Sequence, residues 1–489
     1  MLFNSFDFLF YFLPLMLLVY YIGSKYKNPV YVNWLLIIGS FIFYGWNEDN
    51  DIPLMMASIG INYYFARKFQ KNHIEKKSGL FKIAIIFNLL ILIYYKYFKF
   101  IITELRSLTN SVLIHPDSQL IPNHLPLAIS FFTFQQIAFL VYCYYEPKNK
   151  FSFHTYATSV VFFPHLIAGP LVEYKSLIPQ FEKLRRAMYL RNYVFLGLFV
   201  FIIGLSKKLL VADSLNFMVL ELFDRTPTLI ESLSSLQTLL GLMAYTFQLY
   251  FDFSGYSDMA VGLALFFGIK LPQNFNSPYK SKSLIEFWRN WHISLSSFLR
   301  NYLYIPLGGS KNGPTKTYVN LFITMVLGGI WHGAGWNFLI WGIWHGLGLC
   351  TNHLLKNIIS LPRFIGVVLT FIFVSLGWIF FRAHDFPQAS AILKKLLEFF
   401  QAGTLEALKN IFANQQIDLF MILITAFIVW AMPNTERLNY IMRKHTLLSL
   451  RQNRQSLKFV IFIAALLALL FVICLVRVSS PQAFIYYQF

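Results

Sequence analysis

An all-α polytopic membrane protein is the fold class that this sequence predicts, and three observations lead to it. Only 13% of its 489 residues are charged, whereas 57% are apolar. A soluble domain carries about 25% charged residues, so this chain has about half the charge that a soluble surface needs. Aromatic residues make up 19% of the chain, which excludes disorder. Apolar runs long enough to cross a bilayer, the third observation, recur from end to end.

The apolar runs predict about 11 transmembrane helices. A span needs about 20 predominantly apolar residues, with about 17 as the lower end. The first run, Met1 to Phe12, carries Asp7 and no basic segment, so we expect it to stay in the membrane rather than be cleaved as a signal peptide. The runs after it cover approximately residues 31–46, 52–66, 83–100, 125–145, 192–212, 234–250, 318–331, 333–350, 364–381, 417–433 and 459–476.

Loop charge predicts the orientation of these helices. Lys and Arg concentrate at residues 67–82 and 437–458, as they do in cytoplasmic loops that face anionic lipid. Counting spans from these loops places both termini outside. The net charge of +19 thus belongs to loops between apolar runs, and we do not expect nucleic acid binding, which favours a solvated basic face.

One apolar segment, residues 155–171, conflicts with this count and predicts a re-entrant loop. The loops on either side, at 148–150 and 175–191, both have cytoplasmic character. Pro164 and Pro170 exclude an unbroken helix between them. We therefore expect this segment to enter and leave on the same face. Irregular backbone at membrane depth requires protein or a water-filled cavity around it, so the segment points to a functional cavity.

Two acids, Asp252 and Asp258, lie in an otherwise membrane-like region. Intramembrane acids are costly and are usually paired or functional. The favoured interpretation is a helix break at Ser254 and Gly255, after which the acids cap the backbone N–H groups of the next helix. A functional role is the alternative.

His332 is the first candidate for catalysis. Glycines flank it at 328–329, 333 and 335, and no charged residue occurs between Lys316 and Lys356. A neutral imidazole beside a bound hydroxyl is what a general base requires. A packing histidine, hydrogen-bonded across the helical bundle, is the alternative.

His292 is the second candidate, and it follows a segment rich in aromatic and basic residues. Arg289, Trp291 and the stretch around Arg300 suit a helix at the cytoplasmic interface, with aromatic rings in the head groups and guanidinium groups facing phosphate. His292 could then be only another polar residue of that interface.

Other chemistries fail on spacing. Cys143, Cys350 and Cys474 are far apart in apolar stretches, so neither a disulfide framework nor a zinc site is expected. The histidines at 332, 345 and 353 have no metal-binding spacing, and the chain has neither a GxSxG elbow nor a Walker loop. The chemistry needs a base and a binding tunnel but no protein nucleophile.

Taken together, these motifs resemble the membrane-bound O-acyltransferase (MBOAT) family, and most closely its alginate O-acetyltransferase branch. One departure is Tyr142, where relatives often carry an acid. The motifs lie at residues 130–135, 163–170, 251–258, 288–292, 304–309, 331–333, 377–382 and 484–489.

The resemblance implies a fold and a pair of catalytic residues. It implies one membrane domain over residues 1–489, with a core at about 125–382, in which a ring of helices with re-entrant and interfacial helices surrounds a central tunnel. It implies that His332 is the principal catalytic histidine and His292 the second, supporting one. It implies no metal and no bound cofactor, with acetyl-CoA as the acyl donor and an extracytoplasmic acyltransferase as partner protein.

Basic and polar residues near the two histidines are candidates for binding an acidic donor such as acetyl-CoA. Such charges can equally face lipid phosphate. The candidates are Lys280, Lys282, Arg289, Trp291, Arg300, Trp331 and Asn337.

The function expected from the sequence is an O-acetyltransferase of the bacterial inner membrane. It would move acetyl from cytoplasmic acetyl-CoA across the bilayer to a cell-surface or secreted, alginate-like polysaccharide. The first alternative is D-alanyl or other acyl transfer from a carrier protein to an envelope polymer. The non-enzymatic alternative, a transporter or flippase, favours paired broken helices in two related halves, and the sequence shows no such repeat.

Overall fold

A computed structural model gives the fold, and the part of the chain that it describes consists of helices joined by turns and loops, with no strand. It describes residues 1–489 except 27, 47–48, 72–73, 110–117, 119, 123, 150, 184–189, 357, 402–414, 451–452, 479–481, 483 and 486–489. Of the predicted motif at 484–489, residues 486–489 therefore lie outside the described residues.

The first half of the chain begins with a π-helical turn, Phe8–Phe12, that runs directly into the first α-helix. The α-helices that follow are α1 (Leu13–Ser24), α2 (Pro29–Tyr44), α3 (Ile52–Lys71), α4 (Ile74–Leu92), α5 (Phe98–Thr109), α6 (Ile129–Tyr145), α7 (Phe153–Val161), α8 (Phe163–Leu166), α9 (Tyr174–Glu182), α10 (Leu190–Ser206), α11 (Asp213–Phe223) and α12 (Pro227–Glu231). Two further π-helical turns, Ile93–Tyr97 and Lys207–Ala212, join α4 to α5 and α10 to α11 without a break.

The second half begins with the longest described helix, α13 (Ser235–Phe266). A short 3-10 turn at Pro278–Lys280 and a π-helical turn at Arg300–Tyr304 lie between the next elements. Those helices are α14 (Leu284–Asn290), α15 (Ile293–Leu299), α16 (Pro314–His332), α17 (Trp336–Leu355), α18 (Arg363–Arg382), α19 (Phe386–Gln401), α20 (Gln416–Ala431), α21 (Thr435–Leu450) and α22 (Arg454–Arg477).

Five helical runs in the described part of the chain are long and apolar enough to cross a membrane. They are Asp7–Ser24, Ser78–Thr109, Tyr193–Phe223, Arg363–Arg382 and Arg454–Arg477, and the bent pair of α20 and α21 would be a sixth. The predicted all-helical membrane fold is confirmed. The ring of about 11 spans and its tunnel stay predictions, because other helices at predicted spans, such as the 16-residue α2, are shorter than a full crossing.

The predicted break within residues 155–171 is confirmed. Only α7, with 9 residues, and α8, with 4, form there, and neither is long enough to span a bilayer. The segment is buried throughout, and the hydroxyl of Ser40 accepts a hydrogen bond from the Phe163 N–H at 3.0 Å where the helix is interrupted. Protein thus surrounds the irregular backbone, as the re-entrant prediction requires.

The re-entrant path itself is tested by labelling with an impermeant thiol reagent. Single cysteines at Lys148 and Ser176, in a background without the three native cysteines, should both be labelled from the cytoplasmic side, because a loop that returns to its own face leaves both flanks there. The same background without an added cysteine is the control. Labelling of one site from outside and the other from inside would show a true span.

The helix break expected near Asp252 and Asp258 is wrong. Helix α13 runs through both residues and through Ser254 and Gly255 without interruption. The acids pair with lysines instead of capping a helix: Lys208 lies 2.6 Å from Asp252, and Lys207 lies 2.6 Å from Asp258. Paired charges do not require the helix to end.

Gly255 serves close helix packing rather than a break. A methyl group added at Gly255 would come within 2.8 Å of the Gly204 carbonyl oxygen, and one at Gly204 within 2.6 Å of the Gly255 carbonyl. Gly197 and Gly262 form a second such pair. Small residues at these positions let the backbones of α10 and α13 approach closely, as in membrane helix pairs.

Candidate active site

His332 is the last residue of helix α16 and its side chain is buried, with 5% exposed. The next residue, Gly333, is extended, so the helix ends at the histidine itself. The imidazole is surrounded by the rings of Trp331, Trp341 and Phe381, whose centroids lie 5.0, 5.0 and 5.1 Å away. This apolar surrounding disfavours a charged imidazole and suits the neutral form that a general base needs.

His292 is buried as well, with only 1% of the residue exposed. It is thus enclosed by protein and is not a polar residue of the exposed surface. The backbone at His292 has φ = 43°, a left-handed conformation, and helix α15 begins at the next residue. Such a conformation is unfavourable for a non-glycine residue and persists only where the surroundings hold it. Phe253 packs edge-on against the ring, 4.6 Å between centroids.

Asn274 fixes the orientation of the His292 ring. Its side-chain oxygen accepts a hydrogen bond from the Ser294 backbone N–H at 3.2 Å and lies 3.2 Å from Nδ1 of His292. Because a backbone N–H can only donate, the atom that it contacts is the amide oxygen, and Nδ1 of a neutral His292 must carry the proton. The lone pair of the imidazole is then at Nε2.

The structure brings the two predicted histidines into one region. His332 is close enough to interact electrostatically with His292, and also with Lys96 and His345. The chain thus brings two buried imidazoles, from α16 and the start of α15, within electrostatic range of each other, together with Lys96, a cation that the sequence analysis did not single out.

A cavity of about 230 Å³ adjoins this region. Phe134 and Gln135 of α6 line one side, and Ser294 and Phe298 of α15 line another. Ser294 also donates its hydroxyl to Asn274 at 2.9 Å, and Phe134 stacks on Trp331 with ring centroids 5.0 Å apart. The cavity wall is therefore in contact with the supports of both histidines.

Four basic candidates do not line this cavity. Among the described residues that line it, none is Lys280, Lys282, Arg289 or Arg300. Lys282, Arg289 and Arg300 are exposed, while Lys280 donates to the Met432 carbonyl at 2.7 Å. Partial burial and the nearby positive charge of Arg437 lower the pKa of Lys280, and both residues line a separate open cleft.

The other three candidates are buried residues with packing roles in this structure. The expectation that Trp291 sits in the head groups is wrong, because it packs between Phe275 and Trp378 with centroids about 5 Å away. Trp331 stacks on Phe134 in the cavity wall. Asn337 donates to the Ala383 carbonyl at 2.7 Å and so ties the start of α17 to the end of α18.

Comparison with known proteins shows which family this chain belongs to. The model of the membrane-bound O-acyltransferase family, MBOAT, matches residues 143–383, which contain both histidines. A Peptidoglycan O-acetyltransferase from Helicobacter pylori is 39% identical over 430 residues, covering 81% of this chain and 80% of its own length. The chain belongs to the MBOAT family.

Two further relatives show the range of the family around this chain. A Pseudomonas aeruginosa protein named Probable alginate O-acetylase AlgI is 37% identical over 408 residues, covering 82% of this chain and 75% of its own. A Teichoic acid D-alanyltransferase from Bacillus subtilis is 28% identical over 294 residues, covering 56% of this chain and 73% of its own. This MBOAT protein is therefore a membrane-bound O-acyltransferase, as the sequence predicted.

Sequence reasoning missed three polar residues of this O-acyltransferase site. Asn274 holds His292, Lys96 contacts the helix end that carries His332, and His165 contacts Gln135 of the cavity wall at 2.9 Å. Lys96 had a signal, because a lysine in an apolar run is an intramembrane charge. His165 also had one, since it lies in the motif at 163–170. Asn274 had no such signal in the sequence, because only the fold brings it to His292.

Proposed function

We propose that this O-acyltransferase transfers acetyl from cytoplasmic acetyl-CoA to hydroxyl groups of a cell-envelope polysaccharide. One observation carries the proposal: the cavity of about 230 Å³ extends from Glu173 and Ser176, beside the loop predicted to be cytoplasmic, to Ser294 and Phe134 at the supports of the histidines. A donor that entered near Glu173 would reach Ser294, which shares Asn274 as a hydrogen-bond partner with His292.

The proposed chemistry needs no protein nucleophile. The acceptor hydroxyl oxygen attacks the thioester carbonyl carbon, His332 takes the hydroxyl proton, and the carbon–sulfur bond breaks as the acetyl group moves to oxygen. The proton then goes to the leaving thiolate, which gives free CoA. His292, with its lone pair directed by Asn274, positions a reactant. A general base of this kind contributes about 10²–10⁴-fold to the rate.

The relatives favour acetyl over D-alanyl as the acyl group. The acetyl-transferring relatives align over 81–82% of this chain, and the D-alanyltransferase over 56%. Their names give peptidoglycan and alginate as the polymers concerned. A saccharide hydroxyl, as in an alginate-like polymer, is thus the acceptor class that we propose.

We also propose a bacterial inner-membrane location and an extracytoplasmic partner protein. A polymer outside the cytoplasm must receive acetyl that starts on the cytoplasmic side. An extracytoplasmic acyltransferase partner would present the polysaccharide hydroxyl to this site.

The donor is tested by calorimetric titration of the purified protein with acetyl-CoA at two salt concentrations. We expect binding without any carrier protein. Reversing the charge at Arg300, which donates to Asn301 of the cavity wall at 3.4 Å, should raise the dissociation constant more than reversal at Lys280 or Lys282, which do not line the cavity. The effect should be largest at low salt, because attraction between basic groups and the CoA phosphates is screened over a Debye length of roughly 8 Å at physiological ionic strength.

Lys394→Glu is the matched control, since this exposed lysine of α19 lies beside Glu231 of α12 and does not line the cavity. It should leave the dissociation constant unchanged. A parallel titration with an acylated carrier protein separates the two donor classes. Binding of the carrier but not of acetyl-CoA would assign the protein to the D-alanyl type of transfer. In proteoliposomes with acetyl-labelled acetyl-CoA, we expect the label on a saccharide hydroxyl.

A further inference from the structure

Lys96 is a cation within an apolar helical run that is long enough to cross the membrane, Ser78–Thr109. It lies in the π-helical turn Ile93–Tyr97, a kind of irregularity that is frequent at functional sites. No carboxylate oxygen of the described residues lies within 4.0 Å of its ammonium group. An ammonium in such a place is costly unless it is satisfied by other polar groups.

The groups that satisfy Lys96 are at the end of the helix that carries His332. Its ammonium donates to the carbonyl of Trp331 at 2.7 Å and to the carbonyl of His332 itself at 3.0 Å. The hydroxyl of Tyr97 donates to the preceding carbonyl, Ile330, at 2.7 Å. Two adjacent residues of one segment thus bind three consecutive carbonyls at the C-terminus of α16.

This arrangement replaces the usual helix cap. The last carbonyls of a helix have no partner within it, and the extended Gly333 lies where a left-handed cap residue commonly stands. A positive charge at this end also complements the negative end of the helix dipole. Lys96 therefore determines where α16 stops and where the His332 backbone is held.

The third contact of Lys96 joins this helix end to the cavity wall. Its ammonium lies 3.1 Å from the Ser130 hydroxyl, at the start of α6, and 5.7 Å from the centre of the Trp331 ring. Phe134 and Gln135, which line the cavity, follow on the same helix. One cation thus connects the residue that we propose as base to the wall of the space that we propose for the donor.

We propose that Lys96 is a positioning residue for acyl transfer, which sets the place of the His332 imidazole relative to the bound thioester. This inference rests on the proposed role of His332. It predicts an effect on the chemical step, because displacement of a catalytic group by about 1 Å can cost on the order of 10²-fold in rate.

The test compares Lys96→Met, Lys96→Arg and Tyr97→Phe by release of CoA thiol from acetyl-CoA in proteoliposomes. Lys96→Met should lower kcat by roughly 10–10²-fold with KM for acetyl-CoA nearly unchanged. Lys96→Arg keeps the charge and donors and should recover part of kcat. Tyr97→Phe is the matched control: it removes a hydrogen bond to the same helix end, but not the one at His332, and should retain nearly full kcat.

Two further measurements distinguish an effect of Lys96→Met on the position of His332 from an effect on the stability of the protein. The melting temperatures of the purified Lys96→Met and Tyr97→Phe proteins should be similar. On the residual turnover of His332→Ala, adding Lys96→Met should cause no further loss, because Lys96 acts through the missing imidazole. If Lys96→Met is not inserted, Lys96→Gln, which retains a donor on a shorter side chain, replaces it in every comparison.

The outcomes separate this inference from the proposed function. Full kcat in Lys96→Met, or an equal loss of kcat in Tyr97→Phe, would overturn the positioning role while an inactive His332→Ala still supported the base. An active His332→Ala would instead overturn the proposed role of His332, whatever the Lys96 variants do.

Discussion

Replacing His332 with alanine is expected to reduce acyl transfer to a small residual rate while leaving membrane insertion intact. The imidazole lies at the end of α16, enclosed by aromatic rings and in electrostatic contact with His292. Loss of a general base costs about 10²–10⁴-fold in rate, and the loss is larger when the residue also orients a reactant. Alanine at this helix end disturbs no charge, so the fold should persist.

The measurement is release of CoA thiol by purified protein in proteoliposomes, with insertion checked by gel filtration in detergent. His353→Ala is the matched control, because His353 is a partly buried histidine near the other end of the helix pair formed by α16 and α17. It should keep nearly full turnover. Near-normal turnover in a correctly inserted His332→Ala protein would remove His332 from the mechanism.

Helix positions were predictable from the sequence because apolar length and helix-breaking residues are local signals. The run predicted at 364–381 is helix α18, Arg363–Arg382, and the run at 318–331 lies within α16, Pro314–His332. The broken segment at 155–171 was also predictable, since Pro164 lies within it. The number of spans stays a prediction, because an apolar helix of 16 residues such as α2 is shorter than a full crossing.

The continuity of α13 could not be read from its own sequence. Ser254, Gly255 and two acids are locally typical of a helix start, but the lysines that pair with the acids lie 44 and 51 residues earlier in the chain. Gly255 has its role only because Gly204 packs against it. Tertiary contacts thus override the local preference.

The two histidines of the candidate site could be predicted from the sequence, but the residues that hold them in place could not. Glycines around His332 indicated close packing, and the structure places it in such surroundings. The burial of His292 depends on Asn274, 18 residues away, and on a left-handed backbone that no sequence pattern announced. Lys96 meets the His332 carbonyl across 236 residues. Contacts of this range arise only when the helices assemble.

The buried charges of α13 give the second large expected effect, on stability. The ammonium of Lys208 lies 2.6 Å from Asp252 and 2.8 Å from Asp213, and the side chains of Lys208 and Asp252 are each 2% exposed. The other oxygen of Asp252 accepts the Ile485 backbone N–H at 2.9 Å, near the end of the chain. This network therefore joins the π-helical turn at Lys207–Ala212, helix α13 and the C-terminal segment.

Lys208→Met is expected to destabilise the protein by about 3–5 kcal/mol, because removing one partner of a buried pair leaves an uncompensated charge. Unfolding in detergent can be followed by a thiol-reactive dye, since Cys143 and Cys474 are buried in the folded chain. Lys207→Met is the matched control: its pair with Asp258 is partly exposed, so water can solvate the remaining carboxylate, and the loss of stability should be smaller.

The double variant Lys208→Met/Asp252→Leu should unfold at a higher temperature than Lys208→Met alone, because it removes the unpaired carboxylate of Asp252 together with its partner. A double variant no more stable than the single one would mean that Lys208 stabilises the fold through its other contacts, with Asp213 and the Phe484 ring, rather than through Asp252.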